Sequence, residues 1–449
     1  MPNSNDNRYR EIKTRAFDRL LQAFLFLESR RSDYSEYQLA YHRCTRNLLA
    51  AQLLLLIGAR TAAVHIANKI LGIARKYQFV EITLSTATLL RDVYATSADE
   101  ALFEKCVRLC NTCIEQLLAQ YQSDDFLDSI RMLILNHPTE VADYEQTLDL
   151  ILREHARLLQ VQSSHHVKVN QFRLEVLSCV ALSRPAGIIR SCEQALQYLH
   201  TNRSLIPTSL HGEFEMFRLK ALLATGNEMQ VRNEHVRVLQ CFHQGSTDWF
   251  TCILGQVVAL FRSGCYEDVP ALLLMAVKHE GFQRDGANVV ELFATQAAYL
   301  QLLHLMGMVS LSDETRADLQ ALLHHNSDNG ITFSDLDLII ARTCTHIILA
   351  RNEEALRMIE SLESTSKSLR NDSLVQRAQH FVLLLVELVR TSTPTACGEE
   401  AESPSVQRIA PSTSRSFENW QSEPIPYERL YSYLLASIRS QSSWQQKES

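Results

Sequence analysis

Glycine and proline are scarce, 13 and 10 residues in a chain of 449, against average usage of roughly 7% and 5%. Barrels and doubly wound sheets turn often and tightly and need more of both. No run alternates apolar and polar residues with a period of two, as a half-buried strand would. There is no Gly-rich phosphate loop, no H-E-x-x-H pair and no G-x-S-x-G elbow, so the usual sequence marks of nucleotide binding, zinc proteolysis and serine hydrolysis are absent. Tryptophan occurs only as Trp249, Trp420 and Trp444, too few for the aromatic mouth of a sugar-cleaving helical toroid. Neither sign of charge dominates. The 44 basic and 51 acidic residues give a net charge of −7 and are interspersed, whereas a nucleic-acid partner would call for a basic domain. The most apolar run, Leu48–Ile57 (LLAAQLLLLI), lies between Arg46 and Arg60. It falls short of the about 20 residues a bilayer span needs, and reads as a buried helix with no membrane insertion. The start, MPNSNDNRYREIK, lacks the apolar core of a signal peptide. Eleven cysteines, an odd number, are therefore expected as reduced thiols in the cytoplasm.

What is present is helical spacing. In Thr61–Tyr77 the apolar positions are Ala63, Val64, Ile66, Ala67, Ile70, Leu71, Ala74 and Tyr77, with His65, Asn68, Lys69 and Lys76 opposite. They recur at i, i+3, i+4 and i+7. Several helices end in Gly or a small residue and restart with a small apolar residue five positions on. The pairs are Gly58 with Ala63, Thr96 with Ala101, Gly226 with Val231, Gly264 with Val269, and Ala350 with Ala355; Gly307 falls between the last two. Intervals of 38 (58 to 96 and 226 to 264) and 43 residues (264 to 307 to 350) separate them, and the gap from 96 to 226 leaves room for three more units. His137-Pro138 and Arg184-Pro185 are candidate turns within that gap. Self-similarity at this period is the mark of a helical-repeat array, in which no helix pair buries its apolar stripe alone.

GCYEDVPALLLMAV and ARNEEALRMIESL resemble the inter-helix turns of tetratricopeptide repeats, where Gly, an aromatic and Ala hold these relative places. Tyr266 supplies the aromatic. The ending IPYERLYSYLLASI, following such repeats, resembles an uncharacterised bacterial family of helical-repeat proteins. The resemblance implies a bacterial helical-repeat protein and brings no activity with it.

Composition breaks at Thr391–Ser416, which is rich in Ser, Thr, Pro and Glu and has no aromatics until Phe417. Such a stretch reads as a flexible linker. Beyond it, Tyr427, Leu430, Tyr431, Leu434, Leu435 and Ile438 recur at helical spacing. A helix this short is marginal alone in water, so it is expected to dock on its own chain or another. The expected organisation is a repeat array over 1–390, a linker over 391–420 and a docking helix with its tail over 421–449.

Candidate chemistry reduces to packing almost everywhere. FEKCVRLCNTCIEQLL places Cys106, Cys110 and Cys113 at i, i+4 and i+7 of one apolar stripe. An iron–sulfur site would need them in a loop, and free cysteine packs as a small hydrophobe. His165-His166 and His324-His325 point about 100° apart on a helix, a poor chelate, and read as surface or helix-end residues. HNSDNGITFSD has the composition of a calcium loop around Gly330 without its ligand pattern; it reads as a loop capped by Ser334 or Asp335. Asp124-Asp125 and Glu353-Glu354 are expected at helix starts, where carboxylates favour the dipole. Arg8, Arg10, Lys13, Arg15 and Arg19, diluted by Glu11 and Asp18, read as a solvated face. No catalytic residue, cofactor or metal is assigned.

The expected fold is all-α, a right-handed α-solenoid of about eight or nine helix pairs. The expected function is a non-catalytic scaffold or adaptor that binds a peptide or helix in a concave groove. Polar residues expected on first helices are Arg43, Arg46, Asn47, Arg91, Arg218, Lys220, Gln256, Gln296, Gln301 and Arg342. A second expectation is a regulator whose groove is plugged by the Tyr427–Ile438 helix. A third, less favoured, is a helical-toroid enzyme with convergent carboxylates.

Overall fold

The computed structural model describes residues 35–136, 141–205, 208–282, 287–323, 333–368, 373–390 and 424–448, with isolated positions between 9 and 19. The regular elements among the described residues are all helical, so the all-α expectation holds. The chain falls into two compact units. The first comprises Met1–Glu175 with Ala195–Leu210, the second Val176–Gln194 with His211–Ser449. The division falls inside helices α6 (His165–Ala181) and α7 (Pro185–Thr201) and in the first turn of α8 (Thr208–Ala224).

In the first unit, α1 (Glu36–Leu56), α2 (Arg60–Lys76), α3 (Val80–Thr96) and α4 (Glu100–Asn136) pack in chain order, and α5 (Val141–Val161) follows against α4. Ser35 opens α1 with a reciprocal capping box: Gln38 N–H donates to Ser35 Oγ, and Ser35 N–H donates to Gln38 Oε1. The buried stripe of α2 is Ala63, Ala67, Ile70 and Ala74. Alanines let neighbouring backbones approach closely, and the larger Tyr77, Phe79 and Ile82 fill one end of the same layer. The expected polar face of α2 is exposed. The apolar run in α1 is a helix but not a buried one: Ala51 is buried, whereas Leu53, Leu56 and Ile57 are 54%, 82% and 78% exposed. A helix apolar on all sides needs neighbours all round, and the described contacts of α1 are with α2, α3 and a 3₁₀ turn, Arg203–Leu205.

One turn recurs. In the connections 57–59, 77–79, 182–184, 225–227 and 349–351 the middle residue is left-handed, with φ of 82° at Gly58, 56° at Gln78, 49° at Ser183, 76° at Gly226 and 55° at Ala350. At each, the N–H of the third residue donates five positions back, as in Ala59 to Leu54 and Asn227 to Leu222, and the middle N–H donates three back. This double bond is a Schellman cap, which satisfies the last carbonyls of the first helix. Gly264 and Gly307 close α10 and α12, described below, in the same way. Four of the expected crossing residues, Ala63, Val231, Val269 and Ala355, are buried. At Thr96 the expected turn shifts: the left-handed residue is Ala98, and Ala101 is exposed. The gap after residue 96 is not filled by three equal units, because α4 runs unbroken for 37 residues, about 55 Å. The Arg184-Pro185 turn is present, with Pro185 as the first residue of α7. His137-Pro138 lies outside the described residues.

The second unit contains α8 (Thr208–Ala224), α9 (Glu228–Leu239), α10 (Thr247–Ser263), a 3₁₀ turn (Tyr266–Asp268), α11 (Val269–Val277), α12 (Ala287–Leu305), α13 (Asp313–Leu323), α14 (Phe333–Ile348), α15 (Asn352–Ser368), α16 (Ser373–Arg390) and α17 (Tyr427–Glu448). Helix α10 is buried from Trp249 to Arg262 on nearly every side, and contacts α9, α11 and α12. Around it Phe250, Phe261, Phe282, Phe293 and Tyr299 form one aromatic core. Among the described residues no helix is long and apolar enough to cross a membrane.

Candidate functional site

The most elaborate contact surface is the one that holds α17. Its sequence, Pro424-Ile425-Pro426-Tyr427, starts a helix cleanly: the Pro426 carbonyl accepts from the N–H groups of Arg429 and Leu430. The stripe expected to dock does so within the second unit. Tyr427, Leu430, Tyr431 and Leu434 are 5% exposed or less, Ile425 is fully buried, and Leu435 and Ile438 are partly buried against the same core. Each such burial contributes about 1.5–3 kcal/mol before chain ordering is counted.

Polar contacts position the helix. The Tyr427 ring stacks on Phe381 of α16, centroids 4.7 Å apart and planes 7° from parallel. Its hydroxyl donates to Oδ1 of Asp337 on α14 at 3.2 Å. The same carboxylate, 4% exposed, also accepts from Tyr299 of α12 at 3.5 Å. Glu428 pairs with Arg377 of α16 at 3.4 Å, and the Arg377 side chain is 9% exposed. Arg429 Nη1 donates to the Arg262 carbonyl at the end of α10, at 2.8 Å. The Tyr433 and Tyr266 hydroxyls lie 3.2 Å apart, their rings edge to face. Burial first, and the Tyr433 bond next, push the Tyr266 phenol up to about 12, with Arg429 pulling the other way. Tyr266 is the aromatic of the GCYEDV turn, so the repeat-like residue holds the C-terminal helix.

The ten residues expected to line a groove differ in exposure within each unit. In the first unit Arg43 and Arg46 are exposed on α1, Asn47 is half-buried, and Arg91 pairs with its neighbour Asp92 at 2.9 Å. In the second unit Arg218, Gln256 and Gln296 are 7%, 8% and 1% exposed and are interior residues. Gln256 sits on α10, which is enclosed. Arg218 is held between Glu215, at 3.1 Å, and Glu234. Arg237 completes this network, 2.5 Å from Glu215 and 3.2 Å from Glu234. Two cations and two anions cancel, and Leu219, Leu222, Val231 and Val238 line the space beside Glu215, Arg218 and Glu234, while Arg237 reaches them from the surface. Lys220 is half-buried; burial pulls its ammonium below the ordinary range and Asp248 opposes this. Gln301 and Arg342 are half-buried, and Arg342 donates to the Leu323 carbonyl at 3.0 Å.

A second polar cluster was legible only in pieces. His165 and His166 start α6, the helix-end position expected, and are half-buried. His165 stacks on Tyr198 at 5.4 Å and donates its backbone N–H to Gln78. His166 Nε2 lies 2.8 Å from Asp124, which sits mid-helix in α4 and not at a helix start. Asn170 donates to Asp124 at 2.7 Å and to Ser123 at 3.1 Å. Ser123 Oγ lies 2.8 Å from His155 Nε2, and His155 Nδ1 lies 2.7 Å from Gln171 Oε1. Gln171 donates its amide N–H to Glu175, so its oxygen faces a protonated Nδ1 and Ser123 donates to Nε2. A serine–histidine pair can serve acyl transfer, but Ser123, His155 and Asn170 are all fully buried. Burial holds His155 below its ordinary range.

The three cysteines of α4 are 2–6% exposed in the interior, and burial raises the thiols of Cys106 and Cys113. Among the described residues no group of three or more His, Cys, Asp or Glu could hold a metal ion. Glu353 and Glu354 occupy the first turn of α15, as expected. Arg10, Lys13, Arg15 and Arg19 are exposed. Arg8, Glu11, Asp18, His324-His325, the Gly330 loop and the 391–420 stretch lie outside the described residues. Asp337, Arg377 and Arg262 escaped notice in the sequence because a charged residue on a helix reads as surface until its neighbours are known, and Phe381 because it reads as one core residue among many. No family model matches this chain, and no curated protein or solved structure matches it either.

Proposed function

We propose that this protein is a non-catalytic interaction protein, a tetratricopeptide-like solenoid whose second unit carries a helix-binding groove occupied in cis by α17. One observation carries the reading: a short amphipathic helix, joined to α16 through residues 391–423, inserts a full apolar stripe and four polar contacts between α10, α14 and α16. The Schellman turns that join consecutive helices support the repeat architecture. A helix seated by an i, i+3, i+4, i+7 stripe is a general mode of recognition. Because α17 belongs to the same chain, its docking is intramolecular, so an outside helix binds only when α17 yields. The protein then acts as a scaffold with a built-in competitor, active in binding and not in catalysis.

The test uses the full chain with a protease site placed between residues 391 and 423. After cleavage, a fluorescent peptide of residues 424–448 should exchange into the groove. The uncut chain should bind it at least 100-fold more weakly. Equal binding before and after cleavage, or none in either form, would remove the reading.

A further inference from the structure

Resting on that helix-binding reading, we propose that the groove selects its partner through two buried polar receptors, Asp337 and Arg377. The partner it fits is an amphipathic helix whose first turn carries a tyrosine followed by an acidic residue, ahead of the apolar stripe. Phe381 presents a ring face to position 427, which any aromatic can use. Beyond that ring stands Asp337, 4% exposed, and only a group with a donor at the far end of the ring reaches it. Tyrosine has that donor and phenylalanine does not. One residue on, the Arg377 guanidinium waits beside Glu428, on the side of α17 where its first turn lies. A carboxylate there also meets the positive end of the helix dipole.

A purely apolar helix would fill the same trough and seal both groups from water without replacing the tyrosine hydroxyl or the carboxylate. Losing a bond to a buried charged group weakens binding by roughly tenfold or more, and this is how sites reject ligands that lack one polar atom. The stripe Leu430, Tyr431 and Leu434 supplies affinity for many helices. The Tyr427–Glu428 pair supplies the choice among them. Arg429 adds a third contact, but to a backbone carbonyl, which any long donor satisfies.

The experiment uses the cleaved full chain with labelled 424–448 peptide bound, and unlabelled 424–448 peptides as competitors. The unaltered sequence sets the reference. Y427F should compete about tenfold more weakly and E428Q roughly threefold, while S432A, altered at an exposed position, should match the reference. In a double-mutant cycle with Asp337→Asn protein, the penalty of Y427F should shrink, which a change in peptide helicity alone would not produce. If Y427F and E428Q both compete within twofold of the reference, the groove reads shape alone and the inference is wrong, though helix binding stands. If the unaltered peptide itself fails to displace the label, the helix-binding reading fails and takes the inference with it.

Discussion

The two units solve the same packing problem to different degrees. The second encloses α10 in aromatic side chains and closes another face with α17. The first relies on alanines and cysteines between α1, α2, α3 and α4, with Tyr77 and Phe79 at one end, and leaves large apolar residues in the open. Leu53, Leu56 and Ile57 on α1, and Ile114, Leu118 and Tyr121 on α4, are all more than half exposed. The difference teaches where an added helix matters. In the second unit an apolar stripe from residues 427–438 covers what the preceding helices alone would leave bare. In the first, a buried polar cluster around Ser123, His155 and Asn170 ties α4, α5 and α6 together.

The comparison can be broken most severely at α17. Leu430→Asp would place a charge at a fully buried position, a change of several kcal/mol. The cost is capped by undocking, so limited proteolysis should release 424–448 readily while the first unit keeps its protection. A variant that unfolds both units together would show that α17 is not a separable ligand.

The next effect is acid sensitivity. Burial lowers His235 of the second unit to about 4 from 6.5. A depressed histidine stabilises the fold fully above 6.5, because the unfolded chain takes up the proton first. That stability, on the order of 3 kcal/mol, drains as pH falls from 6.5 towards 4. His235→Gln should flatten this part of the denaturation profile. An unchanged slope would mean that His235 is hydrated.

A smaller effect probes the first unit. Asn170→Ala leaves Ser123 without one donor and Asp124 without another, at about 1–3 kcal/mol. Urea unfolding should report the loss, and exchange of α17 should not change. Smallest of all, Gln78→Gly and Ala350→Gly relieve left-handed strain and should stabilise by up to about 1 kcal/mol. Gly226→Ala should cost a similar amount, since nothing lies within 4 Å of the added methyl and only φ opposes it.

Much of this architecture could be read from residue spacing. The stripe of α2 was legible because Ala63, Ala67, Ile70 and Ala74 stand against charged residues, and the glycine turns because only glycine adopts a left-handed backbone freely. Gln78 makes the same turn without that mark, so its cap was hidden, whereas Pro185 marked the Ser183 turn and the turn read at Thr96 falls at Ala98. The length of α4 was hidden because Asp124-Asp125 looks like a helix start, whereas those residues serve a cluster with α6. The docking stripe of α17 was visible in full. Its receptors were not, since Asp337, Arg377 and Tyr266 gain their meaning only from neighbours 51 to 167 residues away in the chain.

The most direct test of the account is hydrogen exchange followed by mass spectrometry on the intact chain. If α17 is an exchangeable occupant, amides of 427–438 should open at lower free energy than those of α10 and α14, in an event that leaves both protected. Exchange of α17 only together with α10 and α14, in one global opening, would make it a fixed part of the core and contradict the proposal.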